Sequence, residues 1–184
     1  MPRIYTRTGD DGTTGRLYGG RIPKSHPAAE AYGAVDEAVA ALGVARAQAD
    51  NPRLLGVLLK VQRDLFVVGA DLAANPEERA KLRPDVSLVT PRMVERLETL
   101  IDETVAEHPL PQEFVVPGAS PVSAVLDVAR ATCRRAERRA IALGESGAEV
   151  NPEAAKYLNR LSDLLFVLAR WQASGPEEPS RQSE

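Results

Sequence analysis

Apolar residues recur at spacings of three and four along most of this chain. Leu55, Leu58, Leu59, Phe66, Gly69 and Leu72 do so in one stretch. Val94, Leu97, Ile101 and Val105 do so in a second, and Leu158, Leu161, Leu165 and Leu168 in a third. A stripe at this spacing lies on one face of a helix and needs a packing partner. No segment alternates convincingly enough to predict a strand. Four capping residues are each followed directly by proline: Asn51-Pro52, Thr90-Pro91, Ser120-Pro121 and Asn151-Pro152. A side-chain oxygen there can accept an orphan N–H, and proline in the first helical position loses no useful donor. A looser start of the same kind lies between Ser25 and Pro27. These signals predict helices over 27–49, 52–74, 91–107, 121–143 and 152–173. With mostly short links, the expectation is an all-α, five-helix antiparallel bundle.

Three segments fall outside the bundle. Residues 1–24 are rich in Gly, Thr and charge. Residues 75–89 form a polar crossover, and 174–184 have no apolar anchor, which predicts a disordered tail. We therefore expect one domain over 1–184, with an arm at 1–24 and a bundle at 25–173. The composition agrees: of 184 residues, 43% are hydrophobic and 27% charged, enough for a buried core. A net charge of −3 supplies no global attraction to nucleic acid or membrane. The longest uncharged stretch, Phe114 to Leu126, is broken by Pro117 and Pro121, so no membrane span is expected. The charged start predicts no secretory signal, and a lone Cys133 suits a reducing cytoplasm.

The arm carries glycines at 9, 12, 15, 19 and 20, hydroxyls at Thr6, Thr8, Thr13 and Thr14, and cations at Arg7, Arg21 and Lys24. Backbone N–H groups, hydroxyls and positive charge are the chemistry that holds polyphosphate. It is not a Walker A loop, because Arg21-Ile22 stands where Lys-Ser/Thr should follow. From the residues alone, a flexible solvated arm is the alternative.

In the fourth predicted helix, Arg130, Arg134 and Arg138 project from one face, widened by Arg135 and Arg139, with Asp127 and Glu137 beside them. Like charges at this spacing cost about 0.2–0.5 kcal/mol per pair, so carboxylates or a bound polyanion should neutralise them. The fifth helix carries Asn159, Asp163 and Arg170 opposite its leucines, as a satisfied network or as ligand contacts. No Glu-x-x-His pair, nucleophile elbow or Cys–His partnership is present, so the reactive atom should come from a substrate or cofactor.

Together these segments resemble the trimeric ATP:cob(I)alamin adenosyltransferases of the propanediol-utilisation type, from Ile4 to about Arg170. The resemblance is carried by Tyr5-Thr-Arg-Thr-Gly-Asp-Asp-Gly-Thr-Thr-Gly15 with Lys24, Val35-Asp36-Glu37 with Leu42-Gly43, and Phe114-Val-Val-Pro-Gly118. It continues in Ala129-Arg130 with Arg134-Arg-Ala-Glu-Arg138, and in Leu158-Asn-Arg-Leu-Ser-Asp163-Leu-Leu-Phe166. The chain departs from the family pattern at Leu126-Asp127, where a His is common, at Ala38-Val39 and at Ala119.

The resemblance implies a homotrimer with active sites between subunits. It implies transfer of the 5′-deoxyadenosyl group of ATP to the cobalt of cob(I)alamin or a related corrinoid, with release of triphosphate. It assigns ATP contacts to Thr6, Arg7, Thr8, Gly9, Thr14, Gly15 and Lys24 of the arm, and to Arg134, Arg135, Glu137, Arg138 and Asn159 of the helices. Lys24 and Arg134 would hold the triphosphate, with Mg²⁺ bridging its oxygens. Asp36 and Arg130 match the family's intersubunit pair. Phe114 matches the aromatic that closes the lower corrin face and displaces its axial ligand, and Phe166 would line the same cavity. A corrinoid reductase and an adenosylcobalamin-dependent enzyme are the partners such a reaction implies. Two other classes stand against this reading. A nucleotide-binding regulator would have no use for Phe114. An Arg-rich nucleic-acid binder is opposed by net acidity and the lack of interleaved aromatics.

Overall fold

The computed structural model describes residues 4–181. Five α-helices make up its bulk: α1 Pro27–Gln48, α2 Pro52–Ala73, α3 Pro91–Glu107, α4 Pro121–Glu145 and α5 Pro152–Trp171. Every one starts at the proline that the sequence marks. The caps form as the side chains allow: Asn51 Oδ1 accepts from Arg53 N at 2.9 Å, Asn151 Oδ1 from Glu153 N at 3.1 Å, and Ser120 Oγ from Ser123 N at 3.0 Å. At the looser start His26 is the cap, its Nδ1 accepting from Ala28 N. Thr90 is the exception. It makes no side-chain cap bond, because its hydroxyl donates to Asp85 Oδ1 at 2.5 Å.

Side-chain pairs fix the helix directions. Glu30 pairs with Arg139 and Glu37 with Arg135, so α1 and α4 run antiparallel. Asp64 meets Tyr157 and Asp71 meets Asn151, so α2 and α5 do too. Ala31, Ala38 and Ala45 of α1, and Ala129, Ala136 and Ala140 of α4, are all fully or almost fully buried. These small side chains let α1 and α4 approach closely. Leucines 42, 58, 65, 126, 158, 161 and 165 fill the centre with no exposed surface. Each contributes about 1.5–3 kcal/mol by leaving water.

Three features go beyond the pattern that the sequence predicts. A short antiparallel ribbon was not foreseen: β1 Thr13–Gly15 pairs with β2 Arg21–Pro23. Three residues per strand are too few to show an alternation, and the pairing depends on a glycine-rich turn with φ of 98° at Gly19 and 82° at Gly20. The 75–89 crossover contains a 3-10 helix at Pro76–Lys81, capped by Asn75. The tail, expected to be disordered from Ser174, instead turns back through residue 181 and pairs with the segment around Val115. Its partner lies about sixty residues earlier, beyond the reach of any local pattern.

Candidate active site

The Arg130–Arg139 face is where the chemistry concentrates, and its cations are not treated alike. Arg135 is paired with Glu37 and Arg139 with Glu30, both from α1. Arg130 Nε lies 3.0 Å from Asp127 Oδ1. Among the described residues, Arg134 and Arg138 are exposed and have no carboxylate in salt-bridge range. Neighbouring carboxylates therefore neutralise the flanks of the stripe and leave two guanidinium groups on successive turns for another anion. Glu137 is turned to α5, where its Oε1 accepts from Asn159 Nδ2 at 3.0 Å. Asn159 Oδ1 in turn accepts from Arg160 at 2.7 Å.

Arg130 and Arg134 border a cavity of about 400 Å³ bounded by α3, α4, α5 and the 109–120 segment. Phe114 and Phe166 are among its walls. Four residues that the sequence assigned to three separate roles thus share one space. Phe114 is 83% exposed, so packing does little to fix its position.

The cavity floor holds a group that the sequence did not single out as a pair. Arg170 is buried and bonded to Asp127, with Ser123 Oγ 3.4 Å from the same guanidinium nitrogen. Its guanidinium carbon stands 5.2 Å from the Phe166 ring centroid. Asp127 thereby bridges Arg130 and Arg170. The residues carried a faint signal, because Asp127 lies beside the arginine stripe and Arg170 on the polar stripe of α5. Their meeting needs the α4–α5 crossing. Removing one partner of such a pair typically costs about 3–5 kcal/mol, because the other charge is left buried.

A second anchor also escaped the sequence reading. Glu177 Oε1 lies 3.0 Å from Arg170 Nε, with only 11% of its side chain exposed. The pair is ionic rather than a well-aligned hydrogen bond. Burial pushes the Glu177 carboxyl above its ordinary value, with Arg170 opposing and Asp127 adding to that shift.

The arm precedes α1 and is tied to the end of α2 by Leu17, whose N–H donates to the Ala73 carbonyl and whose carbonyl accepts from Asn75 N. Arg21 organises it, donating from Nε to Thr13 Oγ1 at 2.9 Å and from Nη2 to the Thr8 carbonyl. Asp11 Oδ1 accepts from the Thr13 amide at 2.9 Å and from its hydroxyl at 2.7 Å, which hold the Asp11 carboxyl below its usual value. Thr6 and Thr8 hydroxyls are 2.8 Å apart. The Arg7 guanidinium lies over the Tyr5 ring, and Arg7 has φ of 60°. Gly9 gives Lys24 its room: a Cβ there would stand 3.4 Å from Lys24 Nζ and 3.1 Å from the Thr13 carbonyl. Thr14 and Gly15 lie in β1. Arg21 is thus a staple, not a free cation, while Lys24 has no carboxylate partner among the described residues.

No arm residue is among those lining the cavity. Glu30 is level with Arg139, and Arg134 lies five residues, about 7.5 Å, further along α4. Lys24 precedes the start of α1 at Pro27. Asp36 is exposed on α1, beside an apolar groove of about 380 Å³ with Phe66, while Arg130 is held by Asp127. Asp36 and Arg130 therefore make no pair within one chain. Cys133 is buried, with its thiol donating to the Leu158 carbonyl at 3.3 Å, and burial pushes its pKa far up. It is a core residue.

With this geometry in view, the comparisons with known proteins are specific. The family described as cobalamin adenosyltransferase matches residues 4–172. A corrinoid adenosyltransferase of Citrobacter freundii is 42% identical, over 96% of this chain and 98% of its own length. One of Mycobacterium tuberculosis is 46% identical, over 92% of this chain and 88% of its own. A variant PduO-type ATP:corrinoid adenosyltransferase from Lactobacillus reuteri, solved with cobalamin and ATP, superposes with a TM-score of 0.89 at 29% identity. That match covers 98% of this chain and 100% of the other. By family match and by relatives spanning nearly its whole length, this chain belongs to the cobalamin adenosyltransferase family.

Proposed function

We propose that this protein transfers the 5′-deoxyadenosyl group of ATP to the cobalt of cob(I)alamin. Cobalt(I) attacks the ribose 5′ carbon and the cobalt–carbon bond forms. The bond from that carbon to the phosphate oxygen breaks, and its electron pair leaves with triphosphate. No proton need move. The protein's tasks are to hold carbon against cobalt and to stabilise charge on the leaving group. One observation carries the reading: apolar Phe114 and Phe166 share a cavity with Arg130 and Arg134. The apolar wall suits a corrin face, since a phenyl ring offers cobalt no donor atom. The adjacent unpaired guanidinium of Arg134 suits a departing polyphosphate.

The ATP site joins Thr6, Arg7, Thr8, Gly9, Thr14, Gly15 and Lys24 of one chain to Arg134, Arg135, Glu137, Arg138 and Asn159 of a neighbour, in a homotrimer. The absence of arm residues from the cavity lining supports this. So does the groove on α1 and α2, where Phe66 is 65% exposed and Asp36 stands ready to meet a neighbour's Arg130. Mg²⁺ would be held by triphosphate oxygens and water, because the described residues form no cluster of three metal-binding side chains. A bound Mg²⁺ would add positive charge at the leaving group. No described helix is long and apolar enough to cross a membrane, and a cytoplasmic enzyme supplied by a corrinoid reductase and feeding an adenosylcobalamin-dependent enzyme fits the chemistry.

The test is anaerobic incubation with ATP and chemically reduced cobalamin. The expected result is the absorption change of cobalt–carbon bond formation with stoichiometric triphosphate. Absence of both, with ATP bound, overturns the proposal.

A further inference from the structure

The 109–120 segment carries Phe114 but has little of its own to hold it. Phe114 is exposed, so packing does little to fix it. Among the described residues, the backbone–backbone hydrogen bonds of 109–119 go only to the tail. Val116 N donates to the Glu178 carbonyl at 2.8 Å, and Ser180 N donates to the Phe114 carbonyl at 2.7 Å. Ser174 Oγ adds a bond to the Ala119 carbonyl at 3.1 Å. From the same tail, Glu177 meets Arg170 at Nε, next to the Nη2 that bonds Asp127.

The tail's composition suits this work. Val115 faces Pro179 in the antiparallel pairing, at the position where the strands exchange no hydrogen bond. Proline's missing N–H therefore costs nothing there, and its flanking neighbours make both bonds. Pro176 and Pro179 also restrict the free tail, so less entropy is lost when it docks.

Building on the proposed reaction, we infer that the tail strap from Ser174 to Ser180, pinned by Glu177 on Arg170, positions Phe114 for its work on the lower corrin face. Glu177 is a positioning residue. It need not touch the substrates. It fixes the strap, the strap fixes the backbone at Phe114 and Val116, and the phenyl ring follows. The same anchor joins the strap to Asp127 and Arg130 through Arg170, which couples the ring to the arginine side of the cavity.

The full-length Glu177→Arg variant sets two guanidinium groups against each other and should release the strap. Hydrogen exchange at the Val116 amide should then speed up, while helix amides and the melting temperature stay as in the parent. With ATP bound, the fraction of cob(II)alamin lacking its lower ligand, read by electron paramagnetic resonance, should fall about tenfold, the scale expected when a partly buried ion pair is reversed. ATP affinity should not change. Turnover with cob(I)alamin supplied directly should fall much less, and Glu177→Gln should restore part of the loss. Unchanged Val116 exchange or an unchanged lower-ligand signal in Glu177→Arg would overturn the strap. The parent enzyme separates the two levels. If it forms no cobalt–carbon bond, the proposed function fails, while the Val116 exchange still decides whether the strap exists.

Discussion

Two non-helical segments carry ligand chemistry here, and they differ in how much local bonding holds them. The arm is stapled from within, where Asp11, Thr13, Arg21 and Thr8 bond one another across no more than thirteen residues, and is tied to the bundle by the Leu17 backbone, which bonds Ala73 and Asn75. The Phe114 segment makes no such local bonds and relies on a tail sixty residues later. The difference suits their proposed tasks. A polyphosphate wants a preorganised cradle of amides, hydroxyls and charge. A flat corrin must enter beneath an aromatic ring, and a strap with a single ionic pin can be displaced to admit it.

The largest expected effect lies outside both segments and sets the scale for them. Arg134→Ala removes an unpaired guanidinium from the leaving-group side and should lower turnover by about 10²–10³, the range for one lost charge-stabilising donor. Circular dichroism and melting should be unchanged, because the side chain is exposed. Near-normal triphosphate release would remove Arg134 from the site.

Phe114→Ala sharpens the contrast next. Activity should drop about tenfold or more when cobalt(II) must be reduced in place, and by less when cobalt(I) is presented, since the ring acts on the lower ligand and each 1.4 kcal/mol is a factor of ten. Equal losses in the two assays would break the distinction between arm and ring.

Arg21→Ala should act on the arm alone. Losing the Thr8 and Thr13 contacts should raise the KM for ATP by about fivefold, in line with a net hydrogen bond worth about 1 kcal/mol. The cob(II)alamin lower-ligand signal, measured with saturating ATP, should stay as in the parent. A change in that signal would show that the two segments are coupled.

The smallest effect is one of pH. The Thr13 hydroxyl and amide hold Asp11 below its ordinary value of 3.8. A depressed carboxyl stabilises the ribbon fully above that value and loses its contribution as pH falls through the lower folded one. The Thr13 amide resonance should therefore titrate below 3.8. A midpoint at or above it would mean that Asp11 does not staple the arm.

Much of this molecule was legible from the residues alone, because its signals are short in range. Asn51, Ser120 and Asn151 each precede a proline, and a cap bond spans only two or three residues. The leucine stripes of α2 and α5 need only the period of a helix. The adenosyltransferase resemblance rested on contiguous motifs, and the family match confirms it. Residues that act through distant partners stayed hidden. Thr90 reads as a cap, yet Asp85 takes its hydroxyl. Arg21 reads as a phosphate ligand, yet it serves Thr8 and Thr13.

Helix number, helix starts and reaction class thus came from local pattern and motif. Only the folded chain decided which arginines stay unpaired, that Asp127 joins Arg130 to Arg170, and that the tail holds Phe114. The physical reason is distance along the chain. A cap or a stripe is written within one or two turns, whereas the partner of a charge, or of a bare backbone amide, is whichever group packing brings within about 3 Å, the reach of a hydrogen bond.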